Sequence, residues 1–151
     1  MATANVWLTD SEQALWRRWI RVNLLLSAGL HRELQRDSEL SLPDFEVLVH
    51  LSESPDGRVR VCDLAAGLQW ERSRLSHHVS RMERRGLVAR AGCPEDGRGA
   101  FVAITASGRS SIEQAAPGHV REVRRLLFDQ LSAAEVGMLT AALDKVLAGM
   151  E

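Results

Sequence analysis

At 151 residues and 16.7 kDa the chain holds one domain's worth of sequence, with 45% hydrophobic and 26% charged residues. A chain of that size buries roughly two-thirds of the surface its unfolded form exposes, so it needs no disulfide or metal staple to fold. Only two cysteines occur, Cys62 and Cys93, which argues against a secreted disulfide scaffold. No signal-peptide pattern opens the chain, and its apolar runs reach five residues at most, far below the ~20 that span a bilayer, so a soluble cytoplasmic protein without membrane association is predicted.

The net charge of -1 conceals a segregation. From Arg58 to Arg109 there are ten arginines against five acids, a net of +5, while the rest of the chain nets -6. A basic centre inside an acidic frame suits a polyanion, although a solvated helix face would carry the same count.

From Asp10 to Asp37, apolar residues recur at three- and four-residue steps (Trp16, Trp19, Ile20, Leu26, Leu30, Leu34), which predicts a long amphipathic helix. Val22, Leu24 and Leu25 fall off that stripe, so the helix needs cover on more than one side and a partner chain is expected. Ser41, Pro43 and Asp44 open a second helix through Phe45, Val47, Leu48 and Leu51, which stops at the turn Ser54-Pro55-Asp56-Gly57. A short helix over about Val61 to Leu68, ending near Gly67, and a longer one over about Arg72 to Arg85, closed by Gly86, then read as helix-turn-helix.

Two apolar runs, Leu87 to Ala91 and Ala100 to Thr105, flank a Gly/Pro/Asp-rich loop and predict a hairpin. Thr105 caps a helix expected to reach about Gln130, with a kink or break at Pro117-Gly118. A last helix follows Ser132, its Val136, Leu139, Leu143, Val146 and Met150 forming a seam suited to an intersubunit contact. The predicted fold class is mainly α with a small β-hairpin, a winged helix-turn-helix at about 42–105 with N- and C-terminal dimerisation helices at about 9–37 and 106–150, all in one domain.

Helical spacing sorts the faces of the basic helix. Val79, Met82 and Gly86 fall within roughly 40° of Leu75 and point inward, while Ser73, His77, Ser80 and Arg84 point outward with Arg74, Ser76 and Arg81 on the shoulders. His78 lies roughly 60° from the inward direction and reads as partly buried packing. Arginine, histidine and small hydroxyls suit a major groove, so Ser73, Arg74, Ser76 and His77 at the helix start are candidate base readers, and Arg81 and Arg84 candidate phosphate contacts. In the hairpin loop Arg98 suits a minor groove and Asp96 a brace for the loop, against the plainer reading of an ordinary polar turn.

The run Leu75-Ser76-His77-His78-Val79-Ser80-Arg81-Met82-Glu83-Arg84-Arg85-Gly86-Leu87-Val88, followed by Asp96-Gly97-Arg98-Gly99 and Thr105-Ala106-Ser107-Gly108-Arg109, resembles the MarR family of bacterial transcriptional regulators over nearly the whole chain. That resemblance implies a homodimer held by its terminal helices, two winged helices on a pseudo-palindromic operator, and a small-molecule or oxidant signal. Ser76-His77 fall where the family commonly has Thr-Arg or Thr-His, and Asp96 and Arg98 fall on its wing signature. Its peroxide-sensing members carry their thiol near the start of the first long helix, where this chain has Trp16 and Trp19; Cys62 is expected to be packed at a helix start and Cys93 incidental.

The histidines His31, His50, His77, His78 and His119 show no metal-ligand spacing, and no nucleotide-binding loop, nucleophile elbow or zinc-protease pair occurs, so no metal, no cofactor and no enzyme activity are expected. The expected function is a DNA-binding repressor acting as a homodimer on double-stranded DNA, its half-sites about 34 Å apart. A small-molecule effector would sit between the dimer helices and the winged helix near Trp16, Trp19, His31 and His50, residues that also read as core or interface. The alternative is a winged helix that docks on another protein, for which an acidic or apolar outer face is expected.

Overall fold

In the computed structural model, which describes residues 6–92 and 100–151, helix α1 runs Asp10–Asp37 and helix α2 Leu42–Glu53. Local chemistry starts α2: the Ser41 hydroxyl accepts the Asp44 amide and the Asp44 carboxylate accepts the Ser41 amide, a reciprocal capping box with Pro43 in the first turn. The chain continues through strand β1 (Arg58–Arg60), helices α3 (Val61–Leu68) and α4 (Arg72–Arg84), strands β2 (Val88–Gly92) and β3 (Ala100–Ile104), and helices α5 (Ala106–Leu126) and α6 (Ala133–Ala148). Ser132 and Glu135 build a second capping box at α6.

The described residues form two compact units, divided within α1 and α5: Glu33–His119, and the described part of Met1–Arg32 with Val120–Glu151. The core lies in the first. Leu34 from α1 meets Val47, Leu48 and Leu51 of α2, Leu64 of α3, Leu75, Val79 and Met82 of α4, Val88 and Val102 of the sheet, and Ile112 of α5. Burying each large aliphatic side chain contributes about 1.5–3 kcal/mol, which holds the helix-turn-helix against the sheet. In the other unit α6 has no buried residue, and the Trp16, Ile20, Leu24 and Leu25 side chains of α1 are exposed.

The sheet has the order β1-β3-β2 and is antiparallel throughout, with Val59 opposite Val102 and Arg90 opposite Val102 on the other side. Side-chain alternation puts Arg90 on the face of buried Val88, toward the helices, and Phe101 on the other face with Arg58 and Arg60. Both of those guanidinium groups lie 5.0 Å from the Phe101 ring centroid.

Four sequence expectations are corrected. Strand β1 was not anticipated, since three residues carry no period of their own and the strand exists only through its pairing with β3. Gly67 does not end α3 but lies inside it, its α-carbon hydrogens facing the His50 ring, and Gln69 at φ 54 makes the left-handed exit. Gly86 does not point inward from α4; it follows the helix at φ +75, a conformation that favours glycine and turns the chain into the wing. Pro117 does not interrupt α5, which instead ends at Leu126 ahead of a 3-10 turn at Phe128–Gln130, because losing one backbone donor is outweighed where buried Ile112 and Ala115 anchor the preceding turn. Among the described residues no single helix is long and apolar enough to cross a membrane.

Candidate nucleic-acid interface

Helix α4 turns Leu75, Val79 and Met82 fully inward, which leaves the opposite face to solvent. Ser73, Arg74, His77, Arg81 and Arg84 are exposed there, and Ser76 and Ser80 are half-buried. The outward face therefore carries guanidinium, imidazole and hydroxyl groups.

These groups are not equally free. Arg90 reaches from β2 to α4, its Nη2 donating to the Ser76 carbonyl at 2.7 Å and to the Ser76 and Ser80 hydroxyls at 3.1 Å each. The Arg90 amide also donates to Glu83 Oε1 at 3.1 Å. The Ser76 side chain, expected to address base edges, is thus partly committed to the wing strand. The sequence carries no local signal for this role of Arg90, because its partners lie on another element; its alternation with Val88 is the one hint that it faces inward.

Arg74 stacks its guanidinium over the Trp70 ring, 4.2 Å from the centroid, in the turn between α3 and α4. Stacking of this kind holds the charge in place while its N–H edges stay available. Behind it, buried His78 lies edge-on to Trp70, with ring centroids 5.4 Å apart at 90°. His78 Nδ1 is 2.9 Å from Arg81 Nη2 and its Nε2 is 2.9 Å from Asp44 Oδ1. The partly buried packing expected of His78 is what the structure has.

Asp44 is the hub that the sequence did not reveal. Its carboxylate, buried to 2% side-chain exposure, also accepts Arg85 Nη1 at 2.7 Å, and Arg85 Nη2 donates to the Glu39 carbonyl at 2.6 Å. Burial alone would raise the Asp44 carboxyl, but hydrogen bonds from His78, Arg85 and the Ser41 amide, with the Arg85 charge, outweigh it and hold the group well below the ordinary carboxylate range. Asp44, Arg74, His78, Arg81 and Arg85 line one open cleft beside α4.

The wing strands reach Gly92 and resume at Ala100, so Asp96, Arg98 and Cys93, which sequence reading placed at the tip, lie outside the described residues. At the base of the wing Thr105 Oγ1 donates to the carbonyl of Gly86 and accepts the Gly108 amide, which joins the exit of α4 to the start of α5. Cys62 is not packed at the start of α3 as expected; it is exposed, its Sγ 3.6 Å from Asp63 Oδ1, because α3 begins at the solvent edge of β1. Of the residues considered for an effector, Trp16 and Trp19 are 54% and 43% exposed, His31 is exposed and His50 is half-buried. His50 belongs to the unit Glu33–His119 and the other three to the second unit. Among the described residues no cluster of His, Cys, Asp and Glu has metal-binding geometry.

A helix-turn-helix whose second helix turns a basic face outward, followed by an antiparallel wing, defines a winged helix-turn-helix protein. The MarR family description matches residues 38–99. The HTH-type transcriptional repressor IacR of Pseudomonas putida is 31% identical over 138 residues, which cover 88% of this chain and 78% of that one. The chain belongs to the MarR family of transcriptional regulators. Two crystal structures of MarR family regulators from Streptomyces coelicolor agree at 40% identity each: AbsC, with a TM-score of 0.90 over 97% of this chain and 98% of that one, and Sco3205 in complex with DNA, with 0.92 over 99% and 93%.

Proposed function

We propose that the protein is a sequence-specific transcriptional repressor that binds a pseudo-palindromic operator in double-stranded DNA as a homodimer. The observation that carries the proposal is the outward face of α4, where Ser73, Arg74, Ser76, His77, Arg81 and Arg84 gather with no carboxylate among them. In this reading Ser73, Arg74 and His77 meet base edges in the major groove, and Ser76 shares its hydroxyl between the DNA and Arg90. Arg81 and Arg84 take phosphates, while Arg98, on the loop for which Asp96 is the brace, enters the flanking minor groove. The relative crystallised in complex with DNA and the repressor from Pseudomonas putida support this assignment.

The apolar surface of the terminal helices supports the dimer. Trp16, Trp19, Leu24 and Leu25 on α1, with Met138, Leu139, Val146, Leu147 and Met150 toward the C-terminus, are exposed in the single chain, and so many large apolar side chains left to solvent on the terminal helices suit a partner. The dimer spaces its two α4 helices about one DNA turn apart, near 34 Å, and a small-molecule effector that prefers another spacing releases the operator.

Selection of bound duplexes from a random pool tests the proposal, because it reads symmetry and base preference together. A selected site with two inverted half-sites, bound with steep salt dependence and weakened by Arg74→Ala and by Arg98→Ala, is expected. Salt-insensitive or absent duplex binding would instead favour the protein-docking alternative.

A further inference from the structure

We infer that His78, which faces away from the duplex, is a positioning residue for DNA binding: it transmits the anchoring of buried Asp44 to the guanidinium of Arg81. The inference rests on the reading of α4 as the duplex-reading helix and adds to it a residue that the helical wheel assigns to packing alone.

The geometry fixes the direction of the bridge. An arginine guanidinium can only donate, so His78 Nδ1, 2.9 Å from Arg81 Nη2, must present a lone pair. The ring proton then sits on Nε2, which lies 2.9 Å from Asp44 Oδ1 in a charge contact that is not aligned as a hydrogen bond. The other carboxylate oxygen is held by the Ser41 amide at 2.9 Å and by Arg85 at 2.7 Å, so the acceptor cannot swing away. A carboxylate in the first turn of α2 thereby lies against the protonated edge of an imidazole on α4, and the imidazole sets the position of an arginine one turn further along.

The ring also has a second contact. Its edge-on packing against Trp70 steadies the indole on which Arg74 stacks, so two candidate DNA contacts are supported from one buried side chain. Physically, an arginine already held in one rotamer gives up less conformational freedom when it meets a phosphate. A methionine or leucine at 78 would fill the same volume without offering Arg81 an acceptor.

Two measurements on the full chain test this. Ring-nitrogen NMR of the free protein should show His78 protonated at Nε2 and bare at Nδ1; the opposite tautomer overturns the bridge. Affinity for a fluorescein-labelled duplex of mixed sequence at low salt should fall roughly fivefold in His78→Phe, which keeps the aromatic bulk but lacks both polar atoms, and recover in His78→Gln, whose amide can donate to Asp44 and accept from Arg81. In an Arg81→Ala background His78→Phe should cost nothing further. Equal losses in both backgrounds, at urea midpoints showing each variant folded, mean that His78 acts through the fold, and the inference fails. A wild-type protein that does not bind the duplex at all fails the repressor reading instead, whatever the tautomer.

Discussion

Replacing Asp44 by alanine removes one side chain that serves two helices, and its cost can be assembled from the contacts. The cap on the Ser41 amide contributes about 1 kcal/mol, as N-terminal capping side chains do. His78 Nε2, 10% exposed at the side chain, would lose its 2.9 Å contact with the carboxylate and face an apolar hole, at about 1–2 kcal/mol. Arg85 is 41% exposed and can rehydrate, so its lost ion pair adds no more than about 0.5 kcal/mol. The sum is about 3 kcal/mol, which lowers the melting temperature of a chain this size by roughly 6–12 °C. Urea denaturation at fixed protomer concentration measures it, since dimerisation would otherwise shift the midpoint. The sign with pH is a second check. The Asp44 carboxyl is depressed in the folded protein, so its contribution is complete above the unfolded value of 3.8 and is lost as pH falls below it. The gap between wild type and Asp44→Ala should therefore narrow in acid. A loss under about 1 kcal/mol at neutral pH, or a gap that widens below pH 4, would refute the reasoning.

Four further outcomes follow from the same contacts. Arg90→Met should cost about 1 kcal/mol in urea and reduce discrimination between selected and scrambled duplexes, because the Ser76 and Ser80 hydroxyls lose their holder; unchanged discrimination would separate Arg90 from recognition. Gly108→Ala should destabilise by about 1–3 kcal/mol, since the added Cβ would collide with the Leu87 carbonyl; a stabilised variant, as helix propensity alone would give, rules out that contact. His119 stacks on Phe45 at 4.2 Å, its Nδ1 lacks a hydrogen-bond partner, and burial pushes its imidazole below the ordinary 6.5. Its neutral form is the folded one, so stability should fall as pH drops through that value, and His119→Leu should flatten the dependence; an identical slope in the variant removes the assignment. Trp16→Ala with Trp19→Ala should shift sedimentation toward monomer, and an unchanged dimer would place the interface elsewhere.

The elements with local signatures were legible in the residues. Ser41-Pro43-Asp44 and Ser132 carry helix starts, the inward Leu75, Val79 and Met82 carry the period of α4, and Gly86 marks its end. Each signal acts within one or two turns of the chain, so the order of the helices and the basic face of α4 follow from sequence by itself. Strand β1, the bond from Arg85 to Asp44 and the clasp of Arg90 on Ser76 and Ser80 have no such signature, because their partners lie on other elements. Pro117 shows the converse, a local signal for a break that does not break the helix where buried neighbours hold it. Which arginines point outward was a matter of periodicity. Which of them are held, and by what, was decided only when packing drove α2, α4 and the wing together, since one buried carboxylate must find its donors wherever the folded chain has placed them.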